Sequence, residues 1–126
     1  MTLFLRVLAV AIVLAGCAHA ALGLGADALL GAVVSRETRA NASLDSQNRF
    51  YGTAFVLHGV ALWLYSGDMA RYATLFRALL AVTFLGGLAR IGSAMAFGWP
   101  APVIVGLAAS ELLLPPALWW WSTRHG

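Results

Sequence analysis

The chain has 126 residues, of which 61% are hydrophobic and 10% are charged, and its mean hydropathy is +0.82. A soluble domain carries about 25% charged residues, and one this small could not bury so much apolar surface. The composition excludes a soluble globular domain and a disordered chain. It predicts an integral membrane protein with about four helical spans of ~20 residues. The eight basic residues are scattered arginines, so we expect no nucleic-acid partner.

The first apolar run extends from about Leu3 to Leu24 and is long enough to cross a bilayer. It includes Leu14-Ala15-Gly16-Cys17, which is similar to the lipobox at which bacterial lipoproteins are cleaved and lipidated. Two interpretations stay open, an uncleaved first span and a processed signal. We favour the uncleaved span because the apolar run continues beyond Cys17. As the only cysteine, Cys17 excludes an intramolecular disulfide and a multi-cysteine metal site.

Residues 25–50 form the only polar segment of the chain. Four of its apolar residues have the spacing of a helix with one apolar face: Leu29, Leu30, Val33 and Val34. We therefore predict a short amphipathic helix over residues 26–36, in the first extracytoplasmic loop. A polar loop is predicted from there to Arg49.

Three more apolar runs follow, over about residues 50–65, 71–97 and 102–121. The second ends at a Ser-Gly-Asp turn, and the third ends at Gly98-Trp99-Pro100, where proline cannot continue a helix. Continuous apolar runs are typical of membrane helices, in which each backbone polar group is satisfied within its own segment. The sequence thus predicts an all-α fold, a four-helix transmembrane bundle that forms a single membrane domain over residues 1–126.

The arginines predict the orientation of this bundle. Four lie near the termini and the second connection, and three lie in the longer first loop. Because basic residues near span ends favour the cytoplasm, we expect both termini inside. The lack of lysine and the abundance of Ala, Leu and Gly are typical of a GC-rich bacterial genome. The predicted location is the bacterial inner membrane, with multiple spans.

Each predicted span contains one ionisable residue at its centre or in its outer half: His19, His58, Arg90 and Glu111. Ionisable groups inside a membrane are costly and often functional, so these depths predict a shared polar pocket in which Arg90 pairs with Glu111. The alternative is a structural role, in which these residues fix helix order or bind water. Two histidines and a glutamate could form a facial metal set, but no His-x-x-x-His spacing supports one. No metal site is predicted, and the cofactor is unknown.

The start of the second span adds three candidate pocket residues, Asn48, Arg49 and Tyr51. Arg49 has several possible partners: a lipid phosphate, Asp45 or Glu37. In the fourth span, Pro115-Pro116 deletes two backbone donors just after Glu111, which predicts a kink. Small residues on the last two spans are expected to allow close helix packing: Gly86, Gly87, Gly92, Ser93, Gly106 and Ser110.

Three of these motifs carry a family resemblance: Asn48-Arg49-Phe50-Tyr51-Gly52, Arg90-Ile91-Gly92-Ser93, and Glu111-Leu112 with Pro115-Pro116. Over about residues 5–121 the chain resembles the domain of unknown function 4345 family. That resemblance implies a four-span bundle related to the DoxX-like and DoxD-like membrane proteins, and it implies no activity. The quinone-linked sulfur oxidation associated with DoxD-like proteins does not carry over, because the chain lacks the cysteines and the cofactor motif.

Three hypotheses for function follow. The first is a non-enzymatic protein that binds a lipid, a quinone or another hydrophobic molecule, or that serves a larger membrane complex. The second is a membrane enzyme or redox accessory with Glu111 and His58 as acid and base. The third is a small transporter, which would need a homo-oligomer to enclose a pore. Whether any reaction is catalysed stays open at this point.

Overall fold

The computed structural model describes residues 1–125, and these residues form helices and short connections with no strand. The all-α class predicted from the sequence is confirmed. Six helices follow one another along the described chain: α1 (Thr2–Leu22), α2 (Leu24–Leu29), α3 (Arg36–Arg39), α4 (Ala42–Gly67), α5 (Ala73–Phe97) and α6 (Pro102–His125).

Three of the long helices, α1, α5 and α6, are long and apolar enough to cross a membrane. The fourth long helix, α4, has 26 residues, but its first two turns are polar and His58 interrupts its apolar part. The chain is therefore an α-helical protein with membrane character and at least three helices suited to a bilayer. The second predicted span, over about residues 50–65, corresponds to the later part of α4.

Residues Met1–Asp68 form one compact unit, built on an antiparallel pair of helices, α1 and α4. Small residues let the two backbones meet. A Cβ on Gly16 would lie 2.7 Å from the carbonyl oxygen of Gly52, and a Cβ on Gly59 would lie 2.8 Å from the carbonyl oxygen of Ala9. Leu5 is fully buried in this unit. The contacts recur seven residues apart on each helix, so they hold one face of α1 against one face of α4.

The segment between α1 and α4 corrects two details of the sequence prediction. The amphipathic helix expected over residues 26–36 is shorter, because α2 ends at Leu29 and Gly31 follows with a φ of 88°. Val33 is completely exposed, so it does not extend an apolar face. The loop expected up to Arg49 is largely helical. Asn41 accepts hydrogen bonds from two backbone N–H groups and starts α4 at Ala42.

The second unit begins at Met69 and is a hairpin of α5 and α6. Gly98, with a φ of 94°, ends α5, and α6 starts two residues after Pro100. Phe76 is the most deeply buried large side chain of this hairpin. Close packing is seen at Gly87, where a Cβ would lie 2.9 Å from Leu112. At three other glycines a Cβ would meet no described atom within 4 Å, so the packing role expected for them is not observed: Gly86, Gly92 and Gly106.

Candidate functional site

The first unit contains a polar group that we call the corner cluster, made of His19, Asp27, Asp45, Asn48 and Arg49. Asp27 Oδ2 accepts a hydrogen bond of 2.6 Å from Asn48 Nδ2, and its Oδ1 lies 3.4 Å from His19 Nε2. The other ring nitrogen of His19, Nδ1, lies 2.9 Å from the carbonyl oxygen one turn earlier in α1. A carbonyl oxygen can only accept, so Nδ1 carries the proton of that bond. Asp27 thereby joins the end of α1 to the start of α4.

Arg49 ties the end of α1 to α4 more directly. Its NH1 donates to the carbonyl oxygens of Ala20 and Ala21 at 3.1 and 2.6 Å, and its Nε donates to Asp45 Oδ2 at 2.7 Å. The last carbonyls of a helix lack intrahelical partners and carry partial negative charge, so a guanidinium satisfies both needs. Of the partners that the sequence suggested for Arg49, Asp45 is the one that it contacts in the structure.

Asp45 is held on both carboxylate oxygens, since Oδ1 accepts from the backbone N–H of Leu24 at 3.2 Å. The hydrogen bond from Arg49 lowers the pKa of Asp45 below its ordinary value of 3.8; desolvation opposes this shift, while the Leu24 N–H and the charge of Arg49 add to it. Gly23 makes room for this carboxylate. It has a φ of 56°, and a Cβ there would collide with Asp45 Oδ1.

Two of the predicted pocket residues of this region differ in their surroundings. Asn48 is half-buried, and its Oδ1 is buried with no hydrogen-bond partner among the described residues. Tyr51 is 62% exposed, and its ring packs edge-on against Phe50 at 6.0 Å. Asn48 thus belongs to the corner cluster, whereas the structure does not bring Tyr51 into it.

His58 also lies apart from the corner cluster. It is half-buried in α4, with its ring stacked on Phe55 at a centroid distance of 6.1 Å. Ten residues separate it from Asn48, which corresponds to about 15 Å along a helix. A pocket that combines both histidines with Arg90 and Glu111 would join the two units, and it stays a prediction.

In the second unit, Arg90 and Glu111 form a direct ion pair. Arg90 Nε donates to Glu111 Oε2 at 2.7 Å, and the Glu111 side chain is only 15% exposed. Gly87, one turn before Arg90, lets α6 approach, because a Cβ there would already lie 3.1 Å from the Cβ of Glu111. The contact neutralises two charges and connects α5 to α6. It is therefore compatible with the structural role considered for this pair, in which the two residues fix the order of the helices.

An apolar groove of 430 Å³ lies between α5 and α6, further along α6 than Glu111. Its lining consists of Leu80, Ala81 and Phe84 on α5, and of Pro115, Pro116, Trp119, Trp120 and Thr123 on α6. The single hydroxyl of this set, on Thr123, is already engaged with the carbonyl of Trp120 at 2.8 Å. The prolines contribute no N–H group. The exposed wall of the groove is almost entirely apolar.

Two arginines lie against the aromatic end of this groove. The guanidinium carbon of Arg77 is 5.8 Å from the ring centroid of Trp119, and that of Arg124 is 4.2 Å from the ring centroid of Trp120. Both distances are within the range of cation–π contacts. The guanidinium groups of Arg77 and Arg124 thus place positive charge at one end of the apolar groove.

The sequence prediction missed the groove and Asp27. The double proline of α6 and the tryptophans that follow it, Trp119 and Trp120, were the available signal, since they form most of the α6 side of the groove. Asp27 falls within the helix predicted over residues 26–36, and it is not among the predicted site residues. Asp27 lies just beyond the first predicted span, eight residues after His19, which corresponds to about two helical turns. This spacing was the available signal.

The chain was compared with protein families, curated proteins and solved structures. The model of a family described as Domain of unknown function (DUF4345) matches residues 1–122, nearly the whole chain. No curated protein and no solved structure matches the chain. The protein therefore belongs to the DUF4345 family, as the motifs at the start of α4, late in α5 and in α6 had indicated.

Proposed function

We propose that this protein is a four-span protein of the bacterial inner membrane, with both termini in the cytoplasm, that binds a hydrophobic molecule in the α5–α6 groove. The groove itself is the observation that carries the proposal. In this view the protein is a binding protein, on its own or as an accessory subunit of a membrane complex, and Arg90 and Glu111 support the fold of its binding hairpin.

The pairing of α4 with α1 supports a fourth span. The contacts run along α1 from Gly16, which faces Gly52, to Arg6, whose guanidinium lies 5.3 Å from the ring centroid of Trp63. These contacts cover ten residues of α1, which is about 15 Å of rise. If α1 crosses the bilayer, α4 crosses beside it, with the polar first turns of α4 at the surface.

The size and chemistry of the groove favour a hydrophobic ligand. Its volume of 430 Å³ lies in the range of about 300–1,000 Å³ that is usual for small-molecule sites. A polar ligand would lose hydrogen bonds to water and find few replacements on this wall, which is unfavourable. An acyl chain or an isoprenoid tail loses nothing in that exchange and covers Phe84 and the two prolines.

The enzyme and transporter hypotheses have less support. The proposed acid, Glu111, is already engaged by Arg90. No described contact favours a pore. We therefore keep both as secondary hypotheses and base the test on ligand retention.

The test is native mass spectrometry of protein extracted gently from membranes. Ala81→Trp fills the groove, and Ala89→Trp places the same side chain on an exposed position of α5 outside the lining. We expect the wild type and Ala89→Trp to retain a hydrophobic small molecule, and Ala81→Trp to lose most of it. Equal retention by Ala81→Trp and the wild type would refute binding in this groove.

A further inference from the structure

The α5–α6 hairpin has an excess of positive charge that its own acidic residues do not balance. From Met69 onward the chain contains four arginines and one acidic side chain, Glu111. That one carboxylate is taken by Arg90. Neither Arg77 nor Arg124 lies within ion-pair distance of a carboxylate in residues 1–125. Within the described residues, both guanidiniums are therefore open to an external anion.

Arg77 and Arg124 lie at the same level of the hairpin. Thirteen residues separate Arg77 from Arg90 on α5, and thirteen separate Glu111 from Arg124 on α6. Since the two helices are antiparallel and Arg90 contacts Glu111, equal steps along both helices bring the two arginines to the same level. They lie about 20 Å from the ion pair. The adjacent rings of Trp119 and Trp120 place both guanidiniums at the same end of the groove.

The cation–π contacts with tryptophan leave the N–H groups of the Arg77 and Arg124 guanidiniums available. A cation–π contact engages the charge of a guanidinium and does not use up its N–H hydrogen-bond donors. Those N–H groups match the oxygens of a phosphate, which arginine can bind in a bidentate manner. The indoles thus lie beside two arginines whose N–H groups could bind a phosphate at one end of the apolar groove.

We propose that the ligand of the groove is an anionic phospholipid whose phosphate headgroup is held by Arg77 and Arg124 while one acyl chain occupies the groove. This proposal rests on the proposed function, and it adds the class of ligand. A neutral quinone would fill the groove but would provide no anion for Arg77 and Arg124. The positive charges of Arg77 and Arg124 at one end of the groove are complementary to a phosphate headgroup. The apolar wall beyond them is complementary to an acyl chain.

The experiment measures which lipid the protein retains. Protein in nanodiscs of equal phosphatidylglycerol and phosphatidylcholine is released in the gas phase, and the bound lipids are identified by mass. We expect the wild type to retain the anionic lipid about tenfold or more in preference, since each arginine near a membrane surface contributes roughly fivefold. Arg77→Gln with Arg124→Gln should abolish the preference and still retain lipid. Arg36→Gln with Arg39→Gln removes the same charge from α3, outside the groove, and should keep the preference.

The outcomes separate the two proposals. If the wild type retains both lipids equally and Ala81→Trp still lowers retention, the anionic headgroup is refuted and the groove stands. If Arg77→Gln with Arg124→Gln keeps the full preference, the assignment to these arginines is refuted. If no variant, wild type included, retains any lipid, both proposals fail. Circular dichroism of each variant checks that the helices are intact. A variant that has lost the preference for the anionic lipid supports the proposal when its helix content equals that of the wild type.

Discussion

Gly52 lies where α4 comes closest to α1, and Gly52→Ala tests how closely the two backbones are fitted. The new Cβ would lie 2.8 Å from the carbonyl oxygen of Gly16 and 2.8 Å from the carbonyl carbon of His19, and it would also collide with the backbone nitrogen of Ala20. All three atoms belong to the backbone of α1, so no side-chain rotation can relieve the contact. One helix has to move away from the other.

The displacement sets the magnitude. Ordinary van der Waals contact with a Cβ begins at 3.4 Å, so the helices must separate by at least about 0.6 Å at this point. Overpacking of this kind costs about 1–3 kcal/mol in free energy of unfolding. Alanine also favours the helix over glycine by about 1 kcal/mol, which offsets part of that cost. Gly92→Ala supplies the same change in propensity at a position where a Cβ meets no described atom within 4 Å.

The assay is unfolding in mixed micelles, followed by circular dichroism, for the wild type and both variants. We expect Gly92→Ala to be as stable as the wild type or up to about 1 kcal/mol more stable. Gly52→Ala should fall below Gly92→Ala by about 1–3 kcal/mol, the cost of overpacking alone. Equal stability of the two variants would show that α1 and α4 are not in backbone contact, and the packing argument for a fourth span would lose its basis.

Two further predictions concern the ion pairs. Glu111→Gln should destabilise the hairpin by more than the about 0–1 kcal/mol of an exposed ion pair and by less than the about 3–5 kcal/mol of a buried one, because Glu111 is 15% and Arg90 is 40% exposed. Adding Arg90→Gln should restore part of the loss in a double-mutant cycle, and additive losses would contradict a direct interaction. The lowered pKa of Asp45 predicts that the corner cluster contributes stability above the ordinary pKa of 3.8, and that this contribution is lost as the pH falls through the lowered pKa. Asp45→Asn should remove that acid-dependent part of an unfolding curve measured against pH, and an unchanged curve would exclude Asp45 as its source.

The helical class and the main helices could be predicted because apolar runs, prolines and glycines act locally. Pro100 and Gly98 end α5 near the predicted position, and the Arg90–Glu111 contact was suggested by two costly charges on adjoining spans. The start of α4 was misplaced by eight residues. Its polar first turns gave no apolar signal, and the cap at Asn41 is one amide among many polar residues in that segment.

The corner cluster and the groove were harder to predict, since both depend on the register between helices. Asp27 meets Asn48 because α2 folds back after Gly23, and a single sequence does not encode that return as a pattern. The groove forms where the donor-free turn at Pro115 and Pro116 passes small Ala81 on α5. Periodicity within one helix identifies a face, but it does not say which residues of another helix that face will meet.

The seven-residue spacing of small residues on α1 and α4 has a consequence for how this chain can change in length. One residue inserted between Gly52 and Gly59 would rotate the rest of α4 by about 100°, which turns Gly59 away from Ala9 and brings a larger side chain against α1. The same insertion in the connection from Leu30 to Ser35 would only lengthen a loop, which costs little. Natural variants should therefore vary in length between these helices and keep a constant spacing within them.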